Sequence, residues 1–184
     1  EICRQVGRFG PKVLVGLDIA ESPLFYLQQE LRRTFPELEF RAEVGSVQNA
    51  GRLREIFEKP ELVAFPVLTG TAANSLALSC ITPPWGAIFC HHDAHVMDDE
   101  CGAPEFFSAG AKMIALDGAT GRISPASFED ALRAYPRGVV KQVQPACLTV
   151  TQATESGTLY TLAEIQELAG MAHSAGVSVH MDGA

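Results

Sequence analysis

Short apolar runs alternate along the chain with stretches whose apolar residues recur at helical spacing. Residues 12–18 form an apolar run closed by Asp18, the pattern of a parallel strand. Ser22 and Pro23 then offer an N-cap and a first-turn proline. Leu24, Leu27 and Leu31 follow at helical spacing, and Pro36 supplies the stop. Residues 38–44 alternate as a strand, Leu53, Ile56 and Phe57 mark a short helix, and residues 62–67 read as the next strand. The pattern then predicts a small-residue helix over 71–80 and strands over 86–90 and 111–116. A helix capped by Ser124-Pro125 follows, running through Phe128, Leu132 and Tyr135, and then a strand over 147–151. Thr161 and Glu164 fit a capping box that opens a helix through Ile165, Leu168 and His173. A last strand over 177–181 ends in Asp182. Strand and helix alternate throughout, which predicts an α/β fold with a mainly parallel sheet, and there is no internal repeat or low-complexity linker.

One stretch bears on the membrane question. From Leu62 to Cys90 there is no charged residue, yet Pro66, Gly70, Asn74, Pro83 and Pro84 interrupt it. No apolar run of about 18 residues survives, so the stretch reads as a strand, a buried helix and another strand in a sandwiched sheet. With 47% apolar and 20% charged residues among 184, the chain can bury a core without disulfides. The net charge of −8 argues against nucleic acid and anionic membranes as partners, but leaves room for a small phosphorylated molecule. Five scattered cysteines with no Cys-x-x-Cys spacing read as reduced, mostly buried thiols of a cytoplasmic protein. The chain opens on Glu1 and closes on Ala184 straight after a strand-like run, so it is expected to be a piece of something longer.

Three places carry candidate chemistry. Thr69-Gly70-Thr71 joins a strand-like run to a helix that continues through Ala72, Ala73 and Asn74. Free N–H groups at a helix start hold phosphate, Gly70 lets an anion approach closely, and Thr69 and Thr71 add hydroxyls. An ordinary capped helix has the same pattern. The second place, residues 90–101, holds His91, His92, Asp93, His95, Asp98, Asp99, Glu100 and Cys101. It could be a metal site built on His91, His92, His95 and Cys101, a polar loop at a strand end, or a neutral imidazole plate for a flat cofactor ring. The third, Asp182, ends an apolar strand; it could pair with a protonated ring nitrogen, or simply cap the next turn.

These segments also occur together in one order: Thr69-Gly-Thr-Ala-Ala-Asn74, His95, Asp98-Asp-Glu-Cys-Gly-Ala-Pro-Glu105, Thr151-Gln-Ala-Thr-Glu155 with Gly157, and His180-Met-Asp-Gly-Ala184. From about residue 55 onward the chain closely resembles the threonine aldolase/β-eliminating lyase family of pyridoxal-phosphate enzymes. The resemblance implies a partial large domain of fold type I, with three α/β/α layers. It implies that Gly70 and Thr71, beside Thr69, bind the cofactor phosphate and that Asn74 supports the turn. His95 would stack on the ring, Asp182 would pair with its nitrogen, and Glu100 would lie near the substrate. Thr154 and Glu155 would belong to a loop that positions cofactor and substrate; some family members carry His at the position of Glu155. The implied reaction is retro-aldol cleavage of a β-hydroxy-α-amino acid to glycine and an aldehyde, in a homo-oligomer.

The same resemblance places a substrate-binding Arg and the cofactor-bonding lysine beyond Ala184. Lys12, Lys59, Lys112 and Lys141 do not match that context, so the 184 residues are expected to be inactive alone. Residues 1 to about 60 resemble instead the nucleotide-binding part of CapD-like polysaccharide-biosynthesis proteins. There Asp18 would reach a cofactor ribose, and Ser46 stands where that family usually has Asp. The expected division is a partial Rossmann-like segment over 1–60 and a partial aldolase/lyase large domain over 61–184. A non-catalytic remnant or binding module is the other reading, beside the metal site.

Overall fold

The computed structural model describes all residues except 1, 9, 59, 62, 64, 66 and 184. It contains two compact units, Glu1–Pro66 and Val67–Ala184.

The first unit runs α1 (Ile2–Gly7), β1 (Val13–Asp18), α2 (Glu21–Thr34), β2 (Glu39–Val44) and α3 (Ala50–Ile56). β1 and β2 pair in parallel, from Val13 opposite Glu39 to Asp18 opposite Val44. Leu24 and Leu31 of α2 are buried. The helix does not start at the Ser22 cap: it begins at Glu21, with Ala20 as a cap residue that makes no side-chain cap bond. Asp18 Oδ1 accepts the Ala20 N–H at 2.9 Å, so the strand-end acid shapes this turn and makes a serine cap unnecessary. The helix ends two residues before Pro36. The strand expected over 62–67 lies partly outside the described residues. Val63, Phe65 and Val67 carry no strand pairing, and Phe65 is 81% exposed.

The second unit holds α4 (Gly70–Ile81), β3 (Gly86–His91), α5 (His95–Asp98), α6 (Ala103–Phe107), β4 (Lys112–Leu116), a 3-10 turn at Ala119–Gly121, α7 (Pro125–Ala134), β5 (Gln144–Gln152), α8 (Leu162–Ser174) and β6 (Ser178–Gly183). Its sheet has the order β4-β3-β5-β6, and every pairing is parallel. Parallel sheets need cover on both faces, and β3 is buried at every position. Period-2 alternation divides its side chains. Ala87 and Phe89 join Ile114, Leu148, Phe128 and Leu168 in the core under α7 and α8. Ile88 and Cys90 join Leu78, Val96 and Cys147 in the core under α4 and α5. The result is the expected three-layer α/β/α arrangement.

Local signals hold well here. Ser124 Oγ accepts the Ser127 N–H at 3.1 Å, and Thr161 and Glu164 make both bonds of the capping box. The cysteines depart from expectation. Cys90 and Cys147 are buried and their thiols are pushed up to about 12 by desolvation, but Cys80 and Cys101 are exposed because each sits at a helix end or loop. No helix among the described residues is long and apolar enough to cross a membrane.

Candidate functional site

The strand order fixes where a ligand can enter. From β3 the chain goes to β4 on one side and returns to lay β5 on the other. Loops leaving two such strands diverge, and a crevice opens beyond their carboxyl ends. His95 opens α5 just after β3. Glu155 lies in the turn after β5, which Gly157 N–H closes onto Thr154 O at 2.8 Å. Asp182 lies near the end of β6, opposite Thr151. Asn74 is in the second turn of α4 and is 4% exposed.

These groups converge on His95. Its Nδ1 is 2.6 Å from Glu155 Oε1, and the same oxygen accepts the His95 main-chain N–H at 2.7 Å. Its Nε2 is 2.6 Å from Asp182 Oδ2 and 3.7 Å from Glu100 Oε1. An ionised carboxylate oxygen only accepts, so acids facing both ring nitrogens favour the ring with a proton on each. Burial pulls its pKa down, but the Glu155 hydrogen bond and the charges of Asp182, Glu155 and Glu100 outweigh that and raise it. The sequence offers the histidine as a flat plate; the structure adds the acids that face its two ring nitrogens. Glu155 responds in the opposite sense. Burial pushes its pKa up, and the bonds from His95 overcome this and lower it.

Asn74 Nδ2 joins the acids from below. It donates to Asp182 Oδ2 at 2.9 Å and to Glu100 Oε1 at 3.0 Å. With both hydrogens used there, its 3.3 Å approach to His95 Nε2 is a contact only. Glu100 is 4% exposed, and its Oε2 is buried without a hydrogen-bond partner. The expected role of Asn74, support of the α4 turn, thus extends to bridging two acids. No sequence signal points to that, because Glu100 and Asp182 lie 26 and 108 residues away.

The start of α4 lies about one turn before Asn74. Thr69 is its N-cap, and its Oγ1 accepts the Ala72 N–H at 3.1 Å. The N–H groups of Gly70 and Thr71 have no intrahelical partner. A Cβ added at Gly70 would meet nothing within 4 Å, so the approach to them is open. Thr154 is used differently. Its hydroxyl bonds Thr158 Oγ1 at 2.8 Å and Thr120 O at 3.3 Å, which builds the loop that carries Glu155.

The histidines do not gather as the metal reading requires. Among the described residues, His91, His92 and Asp93 bring ligand atoms within 4.8 Å of one another; His95 and Cys101 are not in that group. His91 is already satisfied: its Nδ1 accepts the Asp93 N–H and its Nε2 donates to Gly118 O, both at 3.1 Å. His92 stacks on it at 4.2 Å and faces Asp93 and Asp117.

Fold and site together define an α/β protein with an acid-histidine cluster and a helix N-terminus at the carboxyl ends of a parallel sheet. The family model described as beta-eliminating lyase matches residues 43–184, and the chain belongs to that family. The match begins inside β2, earlier than residue 55. Two low specificity L-threonine aldolases are similar. That of Pseudomonas sp. (strain NCIMB 10558) is 39% identical over 135 residues, covering 73% of this chain and 38% of the relative. That of Pseudomonas aeruginosa PAO1 is 40% identical over 131 residues, covering 71% and 37%. A solved threonine aldolase of Leishmania major superposes with a TM-score of 0.65 at 27% identity, over 72% of this chain and 37% of that one. The chain thus spans less than two fifths of the length of these relatives. Family members are pyridoxal-phosphate-dependent lyases, and the parallel α/β sheet matches their fold type I. A shorter likeness, 35% over 60 residues, links 32% of the chain to 10% of the capsular polysaccharide biosynthesis protein CapD of Staphylococcus aureus.

Proposed function

We propose that this chain is part of a cytoplasmic, homo-oligomeric pyridoxal-phosphate lyase that cleaves β-hydroxy-α-amino acids such as L-threonine to glycine and an aldehyde. The same reading takes residues 1–60 as a Rossmann-like segment and 61–184 as part of the lyase large domain. The carrying observation is the cluster of Asp182, His95, Asn74 and Glu100 beside the open N-terminus of α4. Gly70 and Asn74 are separated by about 6 Å along the helix axis, which suits a ring with a short phosphate arm. The residues fit the cofactor in kind: open N–H donors for its phosphate, an acid for its ring nitrogen, and an orphaned buried acceptor, Glu100 Oε2, for a polar hydrogen of the ligand.

Pyridoxal phosphate, when bound, supplies the electron sink for the pair released as the Cα–Cβ bond breaks. The protein residues hold and orient. Gly70 and Thr71 N–H groups, with the Thr69 and Thr71 hydroxyls, take the phosphate at the positive end of α4. Asp182, now on His95 Nε2, would hold the ring nitrogen, where its negative charge would favour a proton. His95 would lie against the ring. Glu100 Oε2 accepts from the substrate side, held by Asn74 through Oε1. Thr154 acts by shaping its loop.

Equilibrium dialysis against pyridoxal phosphate tests this. One saturable site is expected, weakened about tenfold or more by Asp182→Asn, since a charge-assisted pair is lost. Absence of saturable binding would sink the reading. The 184 residues alone are expected not to cleave L-threonine. Lys112 opens β4 and Lys141 precedes β5, at the amino ends of strands whose carboxyl ends carry the cluster. Cleavage at a rate matching an intact relative, or a stoichiometric borohydride-reduced adduct at one lysine, would refute that part.

A further inference from the structure

We infer that Glu155 is a positioning residue that acts through His95, gripping both its main-chain N–H and its ring Nδ1 with one carboxylate oxygen. The inference rests on the reading above, in which His95 faces the cofactor ring. It goes further by giving the loop after β5 a specific job that does not require contact with cofactor or substrate.

The grip is geometrically complete. A single oxygen that binds the backbone and the ring of one residue, at 2.7 and 2.6 Å, fixes the ring plane relative to the start of α5. Rotation about χ1 or χ2 would break one of the two bonds. The contact also ties the loop after β3 to the loop after β5, across the crevice where the strand order reverses.

The loop behind Glu155 is braced. Thr154 is 5% exposed and lies over Gly121, where an added Cβ would approach the Thr154 side chain to 2.8 Å. Its hydroxyl also accepts the Thr158 N–H at 3.1 Å, and Thr158 Oγ1 donates to Thr120 O at 2.7 Å. A rigid shell of this kind holds a side chain to its working geometry.

The grip also sets what remains when a ligand arrives. His95 faces Glu155 on one ring nitrogen and Asp182 on the other, with Glu100 and the Asn74 amide beside Nε2. If Asp182 turns to a ring nitrogen, Glu155 still holds Nδ1. The ring then keeps its orientation and its proton through the exchange. This is a division of labour: Asp182 is the carboxylate that changes partner, and Glu155 is the one that does not.

The test is a proton NMR titration of the histidine ring signals of the chain without cofactor, with His95 assigned by His95→Gln. Glu155→Gln keeps the shape and removes the charge, and should lower the His95 midpoint by about one pH unit. Glu155→Asp keeps the charge but withdraws it by one methylene, and should lower the midpoint by less. The signals of His91, His92, His173 and His180 should not move. An unchanged His95 midpoint in both variants overturns the inference. A common drift of all five histidines also overturns it, because Glu155 would then support the fold at large. Dialysis with pyridoxal phosphate separates this from the parent reading. Failure of wild type to bind defeats the proposed function and leaves the NMR result standing. Tight binding with an unmoved midpoint defeats only the role of Glu155.

Discussion

Glu1–Pro66 and Val67–Ala184 are written in the same local grammar, parallel strands joined by capped helices, yet they bury their strands very differently. Every residue of β3 is buried, whereas β1 buries only Gly16 and β2 only Phe40. Alternation of apolar and polar residues does not explain the contrast. The number of strands does. In the four-stranded sheet, β3 and β5 have a neighbour on each side and helices on both faces. In a two-stranded sheet each strand is an edge, and few positions can leave solvent. The candidate site sits at the carboxyl ends of the well-buried β3 and β5 and of their edge neighbour β6, which has no buried position and brings Asp182.

Core truncation should break the comparison most sharply. Phe89 is fully buried and packs edge-on against Phe128 at 5.6 Å; Phe89→Ala should cost about 3–5 kcal/mol in a urea titration. Phe40→Ala should cost roughly half as much, because its surroundings can close in. Equal losses would show that the first unit is as well packed as the second. Gly118→Ala comes next. Its new Cβ would lie 1.6 Å from Arg122 O, so the turn that accepts from His91 must move; a loss of about 1–3 kcal/mol is expected. Gly70→Ala should stay within about 0.5 kcal/mol, since nothing lies near. Thermal melts of both variants would show a reversed order if these environments were misjudged.

Matched caps sharpen the comparison. Ser124 and Asn49 make the same bond to a helix N–H, at 3.1 and 3.0 Å. Each Ala substitution should cost about 1 kcal/mol. By hydrogen exchange, Ser124→Ala should speed the slowest amides of β3 and β5, and Asn49→Ala only those of α3. The smallest effect should be on pH dependence. Because the His95 pKa is raised, its contribution is complete below about pH 6.5 and is lost as pH rises through the raised value. Because the Glu155 pKa is lowered, its contribution is present above about pH 4.5 and is lost as pH falls through the lowered value. The stability gap between wild type and Glu155→Gln should therefore peak between about pH 4.5 and 6.5. In the first unit the Arg4–Glu30 pair is exposed, and its loss should be masked by salt.

Much of the fold was legible because its signals are local. Ser124, Thr161 and the apolar spacing of Phe128 and Leu168 identify helices from a few neighbouring residues, and the structure matches them closely. The α2 start was misread because Asp18, a strand residue, turns back onto Ala20 and displaces the serine cap. The strand expected over 62–67 shows the converse. An apolar run has strand character in sequence, but Val63, Phe65 and Val67 have no partner strand to pair with. The short helices α1, α5 and α6 were not anticipated, since four to six residues carry too little periodicity to register.

For the site, the sequence by itself determined the residue types and the elements that bear them: Thr69 to Asn74 at a helix start, His95 after one strand, Asp182 near the end of another. It also determined the family, because those motifs follow one another in a fixed order. Only the tertiary structure decided which groups meet. It placed Glu155 and Asp182 on opposite nitrogens of His95 and put Asn74 between two acids. The reason is physical. A hydrogen bond acts over about 3 Å, and loops separated by 60 residues reach that distance only after parallel strands have fixed their register. The upward pull on the His95 pKa follows from that meeting, with Glu155 and Asp182 contributing from far along the chain and Glu100 from nearby.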